Sequence, residues 1–393
     1  MKQKTNLVTV ILFLTLLFGF SIAFLLTPDR AFSEQENRSL QPLPHFSAEA
    51  FLSGDLADDV NDYFADQFPM RDYLVGWKGI LELVIGKGEN NGILLGRGGQ
   101  LAKRSFELKT ADGHTHSVKL DTFDPVLIDS ATDGINRVAK SLEIPFTVLL
   151  TGRTIDIAAS AFDYPTEQSD ALLARIYGGI DANVQAIDTV PMLRACYERG
   201  EYVYYKTDHH WTTLGAYYAY AEIMRAYGME SALLPIDAFD RQTVSTSFFG
   251  TAWSAAGMKF VRPDSVEIWY AGNESEFEVV ADGTVLAGGL YNLDYLSKKD
   301  HYSTFLDGTH DVVTVRKRGG EDRPTLLILK DSFANAAAPF LAQHFDLVLC
   351  NLSSARQDYT NVTELAAEYG ADRVLLLYTV ENLVTANKLA RLR

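Results

Sequence analysis

The sequence predicts an α/β protein built around a doubly wound parallel sheet, with one transmembrane helix ahead of it. Three observations support this prediction. Short β-prone apolar runs alternate with amphipathic helical segments over most of the chain. The C-terminal part contains an unbroken β-α-β-α-β series, and crossovers of that kind place neighbouring strands in parallel. One long uncharged stretch stands near the N-terminus.

The composition is that of a globular protein that does not bind nucleic acid. The chain has 393 residues, of which 47% are hydrophobic and 22% charged, enough for one large core or two smaller ones. A formal net charge of -16 and the lack of a basic stripe argue against nucleic acid, because phosphate binding needs clustered Lys and Arg. Cys196 and Cys350 are too few for a disulfide framework or a cysteine metal site. We expect two buried thiols, with a single disulfide as the alternative.

The uncharged stretch near the N-terminus, Leu7–Leu26, is long enough to cross a membrane. Its twenty residues rise ~1.5 Å each as a helix, which matches the ~30 Å core of a bilayer. Lys2 and Lys4 precede it and favour a cytoplasmic N-terminus, which places the rest of the chain outside the cytoplasm. No clear small-x-small cleavage site follows, so we predict an uncleaved single-pass anchor in the cell membrane, with a cleaved signal peptide as the alternative.

The sequence divides into an anchor, a linker with helices, and a large α/β domain. Residues 1–27 are the cytoplasmic tip and the anchor. Residues 28–90 hold a proline-containing linker and then helical spacing of apolar residues across 48–83. Residues 91–393 are the α/β domain, in which 248–315 carries short strand-like runs and turns. We predict that this region is a β-rich insertion over one end of the sheet.

The elements of the α/β domain follow from their local patterns. Strands are predicted where short apolar, β-prone runs stand between turn signals. Helices are predicted where apolar residues recur with helical spacing, helped by a capping residue or by a proline in the first turn. In chain order these are strand 146–150, helix 169–177, strand 186–190, a helix opened by Pro191, a helix from Thr212 or Thr213 to Gly228, strand 326–329, helix 333–344, strand 347–350, helix 362–369 and strand 374–378.

Ser332 stands where a predicted parallel strand runs into a helix. Ligand sites of open parallel sheets lie beyond the carboxyl ends of the strands, and Ser332 follows such an end at Lys330. A serine there projects its hydroxyl outward, and the N–H groups that open the next helix point at any negative oxygen nearby. We interpret Ser332 as a candidate nucleophile; the alternative is a serine that only caps the helix.

Asp208 and His210 supply the groups that a serine nucleophile requires. The hydroxyl needs a base to take its proton, and the base needs an oriented imidazole and a stabilised imidazolium. In an extended segment Asp208 and His210 project on the same face, whereas His209 points away and is assigned a structural role. All three are of metal-ligand types, but no third His or Cys cluster stands at ligand spacing. We therefore expect neither a metal nor a cofactor.

The segments around these residues resemble a known family. The stretch 204–217, which contains Asp208-His209-His210-Trp211, looks like the signature of the DHHW family, bacterial relatives of the alginate O-acetyltransferases in the SGNH-hydrolase-like superfamily. Further landmarks agree over essentially the whole exported chain. They are Phe32-Ser33-Glu34, Glu36-Asn37-Arg38, Asp66-Gln67-Phe68-Pro69 with Arg71, Phe249-Gly250-Thr251, Lys299-Asp300 with Tyr302, and Lys330-Asp331-Ser332-Phe333-Ala334-Asn335. The last motif departs from the superfamily's usual Gly-Asp-Ser.

The resemblance implies a triad of Ser332, His210 and Asp208 on a flavodoxin-like, SGNH-hydrolase-like sheet. The motif order is permuted, since the Asp and His precede the Ser. The implied activity is an extracytoplasmic O-acetyltransferase that forms an acyl-serine and moves acetyl groups onto hydroxyls of an exopolysaccharide or cell-wall polymer. By the same resemblance, a membrane-bound O-acyltransferase partner supplies the acetyl group.

Six further residues are candidates for contacts with the substrate or the oxyanion. Asn335 and the backbone of Gly250 are candidates for the second donor of the oxyanion hole, which an Asn side chain often completes in the superfamily. The other candidates, chosen from predicted strand ends and from the matching motifs, are Arg356, Asn382, Trp211 and Tyr302.

Two alternative functions stay open at the level of sequence. A carbohydrate acetyl-esterase would use the same site and admit water as the acceptor. An inactive polysaccharide-binding or assembly protein would keep the fold and bind sugars through aromatic residues such as Trp253 and Trp269.

Overall fold

The structure is a computed structural model that describes residues 2–33, 38–109, 115–118, 125–163, 166, 168–272, 274–320, 322–354, 358–386 and 388–393. The described chain divides into two compact units. Unit 1 contains residues 1–90 and 254–260, and unit 2 contains residues 91–253 and 261–393.

Unit 1 is mostly helical. Its elements are α1 (Lys2–Leu26), β1 (Phe32–Ser33), β2 (Arg38–Ser39), α2 (Ala48–Ser53), α3 (Asp55–Asp66), α4 (Arg71–Val84) and β3 (Glu89–Asn90). Within the described residues, α1 is the one helix that is long and apolar enough to cross a membrane. Phe24 of α1 lies 5.1 Å from Phe64 near the end of α3, and Phe20 stacks on Phe68, two residues beyond that end, at 5.3 Å between ring centroids.

Unit 2 alternates strands and helices. Its strands are β4 (Ile93–Leu95), β5 (Leu101–Lys103), β6 (Phe106–Lys109), β7 (Thr115–Val118), β8 (Phe146–Thr151), β9 (Gln185–Asp188), β10 (Asp240–Phe248), β11 (Asp264–Tyr270), β12 (Phe277–Ala281), β13 (Thr284–Val285), β14 (Val312–Lys317), β15 (Thr325–Lys330), β16 (Asp346–Asn351) and β17 (Arg373–Thr379). Its helices are α5 (Pro125–Ser141), α6 (Thr154–Ile157), α7 (Asp170–Gly179), α8 (Val190–Glu198), α9 (Thr213–Ala226), α11 (Ala334–Leu341), α12 (Val362–Tyr369) and α13 (Val380–Ala386), while α10 (Thr251–Ala256) begins in unit 2 and ends in unit 1.

The main sheet of unit 2 confirms the predicted mixed α/β architecture with a largely parallel sheet. Over the described residues its strand order is β13-β12-β14-β16-β15-β17-β8-β9. The five strands from β16 to β9 are parallel, and β14, β12 and β13 extend them in antiparallel pairing. The five parallel strands can be renumbered with the C-terminal ones first, so that β15, β16, β17, β8 and β9 become strands 1 to 5. Their order in the sheet is then 2-1-3-4-5, the order of flavodoxin-like sheets.

Helices cover both faces of this sheet. The connection from β15 to β16 and the connection from β16 to β17 run in opposite directions across the sheet, so right-handed crossovers place α11 and α12 on opposite faces. Accordingly α11 packs on α9, and α12 packs on α5. The central strands are buried almost throughout, which explains their continuous apolar runs.

The strands of the region 248–315, which we predicted as a β-rich insertion over one end of the sheet, pair at the sheet edge or outside the main sheet. β12 and β13 join the sheet at its edge beside β14, and β11 pairs with β10 in a separate two-stranded sheet. Backbone pairing along an edge satisfies the donors and acceptors of these short strands, which the local sequence pattern does not reveal. Cys196 and Cys350 are buried free thiols, as predicted.

Candidate active site

Ser332 lies directly beyond the carboxyl end of β15, at the turn into α11. The turn is held by Asp331, whose Oδ1 accepts the N–H of Phe333 at 3.1 Å and whose Oδ2 accepts the N–H of Thr379 at 2.7 Å. Thr379 ends β17, the strand next to β15. Asp331 therefore ties the serine turn to the end of the neighbouring strand, where flavodoxin-like sheets bind ligands.

Asp208 and His210 lie in a tight loop between Tyr204 and Trp211. Tyr204 and Trp211 pair as an isolated antiparallel bridge, and the N–H of Tyr205 donates to the carbonyl of His210 at 3.1 Å. The residues between them form bends rather than the extended segment that we predicted. Asp208 and His210 still meet, because Asp208 Oδ1 accepts the N–H of His210 at 3.0 Å in an Asx-type turn.

The three predicted triad residues come together with hydrogen-bond distances throughout. His210 Nδ1 lies 2.6 Å from Asp208 Oδ1, and His210 Nε2 lies 2.7 Å from Ser332 Oγ. Asp208 and His210 are buried, whereas Ser332 is half-buried. This arrangement lets His210 take the proton of Ser332 while Asp208 orients the imidazole ring and stabilises its charged form.

Thr251 and Gly250 enclose the second oxygen of Asp208. Asp208 Oδ2 accepts both the backbone N–H of Thr251 at 2.8 Å and its hydroxyl at 3.0 Å. Burial disfavours ionisation of Asp208, but the two neighbouring imidazoles and these hydrogen bonds outweigh it, so the pKa of Asp208 is held well below its ordinary value. The carboxylate is therefore charged at neutral pH.

Asp264 holds the loop between Tyr204 and Trp211 through hydrogen bonds, a role that the sequence did not indicate. It is buried, and its carboxylate accepts the N–H groups of Lys206 at 2.9 Å and of Thr207 at 2.7 Å. It also accepts the hydroxyls of Thr207 and Tyr202. The loop that carries Asp208 is thus fixed by one carboxylate from the start of β11.

Tyr302 and Phe333 hold the imidazole of His210 between aromatic rings. The ring of Tyr302 stacks on His210 with centroids 3.7 Å apart and planes 10° apart, and the ring of Phe333 lies 4.9 Å away. The Tyr302 hydroxyl donates to the carbonyl of Ser332 at 3.2 Å. Tyr302 is buried, so its position fits support of the base and the nucleophile rather than the substrate contact that we considered.

A cavity of about 300 Å³ opens beside the triad. Its wall includes Gly152 and Arg153 after β8, Thr379 at the end of β17, and Phe333 after β15. These residues follow three adjacent parallel strands, so the cavity lies at the edge of the sheet where the carboxyl ends meet.

The cavity carries charged groups that the sequence analysis did not single out. Lys103 Nζ lies 3.1 Å from the Glu381 carboxylate, and both line the cavity. Arg153 also lines it, and its Nε lies 3.5 Å from the fully buried Asp156. The sequence could have indicated Arg153 as a site residue only through its position just after a strand end, and many structural residues share that position.

His209, for which we predicted a structural role, lines the cavity. Its side chain is 40% exposed, its Nδ1 lies 2.7 Å from the hydroxyl of Thr251, and its ring centroid lies 3.9 Å from that of His210. The prediction that His209 points away from His210 was wrong, because the loop bends at this point and strand alternation does not apply.

The candidate oxyanion donors are engaged elsewhere. The N–H of Gly250 donates to the hydroxyl of Thr207 at 3.1 Å. The side chain of Asn335 donates to the carbonyl of Gly308 at 2.9 Å and accepts from Lys330 Nζ at 2.6 Å. Both groups therefore already have hydrogen-bond partners in this structure, and the second oxyanion donor stays a prediction.

The remaining candidates take different places. Asn382 lines the cavity and donates to Asp331 Oδ2 at 2.9 Å, so it helps to brace the serine turn. Trp211 is fully buried, and its indole N–H donates to the carbonyl of Phe333 at 3.1 Å, which excludes it as a substrate contact. Arg356 lies outside the described residues.

Asp208, His209 and His210 place one ligand-type atom each within 4.8 Å of one another. Both ring nitrogens of His210 already face partners, Asp208 on one side and Ser332 on the other. A metal on His210 would have to displace one of them, so the donor set fits a proton relay better than a metal centre.

The chain is similar to known proteins in both sequence and structure. A family model described as DHHW protein matches residues 142–350, more than half of the chain. No curated protein matches the chain. Among solved structures, a DHHW family protein from Eubacterium siraeum has 19% identity and a TM-score of 0.57, covering 77% of this chain and 95% of its own. PatB1 from Bacillus cereus has 19% identity and a TM-score of 0.59, covering 75% and 98%, and PatB1 with a sulfonyl adduct has 20% identity and a TM-score of 0.58, covering 72% and 98%. These likenesses establish a shared fold, and the family match establishes that the chain belongs to the DHHW family.

Proposed function

We propose that the protein is a membrane-anchored, extracytoplasmic O-acetyltransferase that acts on hydroxyls of an exopolysaccharide or cell-wall polymer. The observation that carries this proposal is the continuous hydrogen-bonded path from Asp208 through His210 to Ser332, with distances of 2.6 and 2.7 Å. This path turns a weak hydroxyl into a nucleophile beside a cavity. The DHHW family and its resemblance to the alginate O-acetyltransferases supply the expected reaction.

In the first half of the reaction, Ser332 Oγ attacks the carbonyl carbon of an acetyl donor while His210 Nε2 takes the serine proton. The tetrahedral intermediate then collapses, the bond to the leaving group breaks, and His210 returns the proton to that group. The product is an acetyl ester on Ser332. Asp208 keeps the correct tautomer of His210 and stabilises its charged form throughout.

In the second half, a hydroxyl of the acceptor sugar attacks the acetyl-serine. His210 takes the proton of this hydroxyl, and the ester bond to Ser332 breaks as His210 returns the proton to the serine. The chain ends in its starting state and the sugar carries the acetyl group. Water as the acceptor would give acetate instead, which is the esterase alternative.

The anchor and the partner belong to the same proposal. The helix α1 is long and apolar enough to cross a membrane, and the preceding Lys2 and Lys4 favour a cytoplasmic N-terminus. A membrane-bound O-acyltransferase partner would then deliver the acetyl group on the outer side. A sugar-binding protein without activity is less well supported, since Trp269, one of its predicted sugar contacts, is buried.

The decisive experiment measures modification of Ser332 in the full chain in detergent. We expect a sulfonyl fluoride to form one covalent adduct on Ser332, and we expect a chromogenic acetyl ester to be turned over. The variant Ser332→Ala should lose both, and His210→Gln should slow both by a factor of about 10² or more. Ser247→Ala, a change at an exposed serine, is the matched control and should behave like the wild type.

The acceptor is tested in the same preparation. An acetyl donor and acceptor oligosaccharides should give acetylated sugar, detected by mass spectrometry, in excess over free acetate. Free acetate alone would favour the esterase. Full activity in Ser332→Ala would refute the proposal, and an unreactive Ser332 together with oligosaccharide binding would favour the sugar-binding alternative.

A further inference from the structure

The helix α4 in unit 1 presents an apolar stripe to solvent. Its residues Leu74, Trp77, Leu81 and Val84 are 44 to 79% exposed, and Ile85 at its end is equally exposed at 79%. At ~100° per residue these five side chains lie within about 100° of the helix circumference. They form one continuous surface, which we call the α4 stripe.

The opposite face of α4 packs inside unit 1 through glycine. A Cβ atom on Gly76 would lie 2.8 Å from the side chain of Lys259, and one on Gly79 would lie 3.4 Å from the carbonyl of Gly257. A surface helix of a water-soluble domain normally turns its bulky apolar residues inward. α4 departs from this rule: its inner face carries Gly76 and Gly79 beside the partly buried Val75, Ile80 and Leu83, while its Trp and several large aliphatic residues face outward. Exposed apolar surfaces of this kind mark contact with a membrane or another protein.

The contacts of α1 indicate which of these covers the α4 stripe. Phe20 and Phe24 lie six and two residues before the end of α1 at Leu26, so in a spanning helix they would lie ~9 and ~3 Å inside the outer boundary of the apolar core. Phe68 stacks on Phe20, and Phe64 contacts Phe24. The end of α3 is therefore held at the level of the outer membrane interface, and α4 begins three residues after Phe68.

The composition of the α4 stripe also fits a lipid surface. Trp at its centre and aliphatic residues on both sides are typical of helices that lie in the interface with their apolar face ~5 to 10 Å deep. Lys78 of α4, whose side chain is 58% exposed, supplies a basic group beside the stripe of the kind that such helices direct to lipid headgroups.

We propose that α4 lies in the outer interface of the bilayer with the α4 stripe buried among the lipid chains, so that unit 1 is a membrane-surface platform beside the anchor. This proposal rests on the proposed anchoring by α1, but it does not require acetyl transfer. The occupant of the stripe is lipid, rather than a second copy of the chain or a membrane partner.

The test places an environment-sensitive fluorophore on single introduced cysteines of the full chain in nanodiscs that hold one chain each. Cys196 and Cys350 are buried and should not react. Labels are placed at Leu81→Cys in the stripe, Leu17→Cys in α1 and Lys140→Cys on an exposed position of α5. Lipids brominated near the headgroup should quench the label at position 81 by about twofold, lipids brominated deep in the chain should quench the label at position 17, and neither should quench the label at position 140.

Each other outcome overturns the proposal in a distinguishable way. A label at position 81 that stays accessible to an aqueous quencher, while position 17 is quenched by lipid, would mean that α1 spans the bilayer but α4 does not touch it. Protection of position 81 only in nanodiscs with two chains would assign the stripe to a second copy. A label at position 17 that lipid does not quench would overturn the anchor as well. The acetyl-transfer assay on the same samples reports the proposed function separately.

Replacement of other stripe residues checks that the stripe itself is responsible. The pair Trp77→Ser and Val84→Ser should reduce lipid quenching at position 81 without changing quenching at position 17. The pair Val285→Ser and Leu293→Ser, at exposed apolar positions of unit 2, is the control and should leave both unchanged. Equal quenching at position 81 in the two paired variants would contradict the proposal.

Discussion

Gly250 approaches Asp208 so closely that a single methyl group there should disable the triad. A Cβ atom on Gly250 would lie 2.2 Å from Asp208 Cβ and 2.3 Å from Asp208 Oδ2. Carbon atoms that are not bonded pack at ~3.5 to 4.0 Å, so Gly250→Ala requires a displacement of about 1.3 Å. Asp208 is buried and hydrogen-bonded to His210 and Thr251, so this displacement changes the orientation of His210.

The expected loss follows from that displacement. A misplacement of ~1 Å in a catalytic group costs about 10²-fold in rate, and overpacking of a buried site costs about 1 to 3 kcal/mol of unfolding free energy. We therefore expect Gly250→Ala to lower the rate of Ser332 sulfonylation and of acetyl-ester turnover by about 10²-fold. Its melting temperature should fall by a few degrees while the protein stays folded.

The matched control is another glycine whose added Cβ atom meets open space. Gly178 in α7 has no atom within 4 Å of that position, so Gly178→Ala should keep both rates and the melting temperature. If Gly250→Ala reacts as fast as Gly178→Ala, then the contact between Gly250 and Asp208 does not position the base, and the reasoning is refuted.

Three further predictions concern the surroundings of the triad. Tyr302→Phe keeps the ring that stacks on His210 and removes the hydroxyl that donates to the carbonyl of Ser332. Turnover of the acetyl ester should fall less than about tenfold in Tyr302→Phe and far more in Tyr302→Leu. Equal losses of turnover would mean that stacking is unimportant. The lowered pKa of Asp208 contributes stability that is fully present above its unfolded pKa of ~3.9 and is lost as the pH falls towards the folded pKa. Denaturant titrations at pH 5 to pH 3 should therefore show a steeper loss of unfolding free energy for the wild type than for Asp208→Asn. Parallel curves for the two proteins would contradict this. Burial lowers the pKa of Lys330 to about 8, below the ~10.4 of the unfolded chain. Between these two pH values unfolding takes up a proton, so the unfolding free energy rises with pH. Lys330→Met should flatten this rise in denaturant titrations from pH 8 to pH 10, and an unchanged rise would assign it to another group.

Much of the candidate site could be predicted from the sequence, because its signals are local. A buried apolar run followed by Ser332 marks a strand end, and the two-residue spacing of Asp208 and His210 allows a carboxylate to reach an imidazole. The structure brings these residues together. The geometric argument behind the Asp208–His210 pair was nevertheless wrong, because a bent loop with an Asx-type turn joins them instead of strand alternation.

The supporting roles of Thr251 and Asp264 could not be predicted, because both residues reach the site from distant parts of the chain. Thr251 and Asp264 contact the loop between Tyr204 and Trp211, and they lie 43 and 57 residues away in sequence from their partners there. Asn335 and Gly250 were predicted as oxyanion donors on motif position, and the structure engages both with other partners. A buried polar group takes whichever partner satisfies it, and that choice depends on packing rather than on local spacing.

The sequence by itself determined where the strands and helices of the sheet lie and which residues carry reactive groups, because periodicity and residue chemistry are local properties. Only the tertiary structure decided the strand order, which places β17 and β8 beside β15 and so builds the cavity from residues that follow three separate strands. The meeting of His210 with Ser332, 122 residues apart, is likewise a product of that order, since it depends on how the whole sheet is assembled around one buried core.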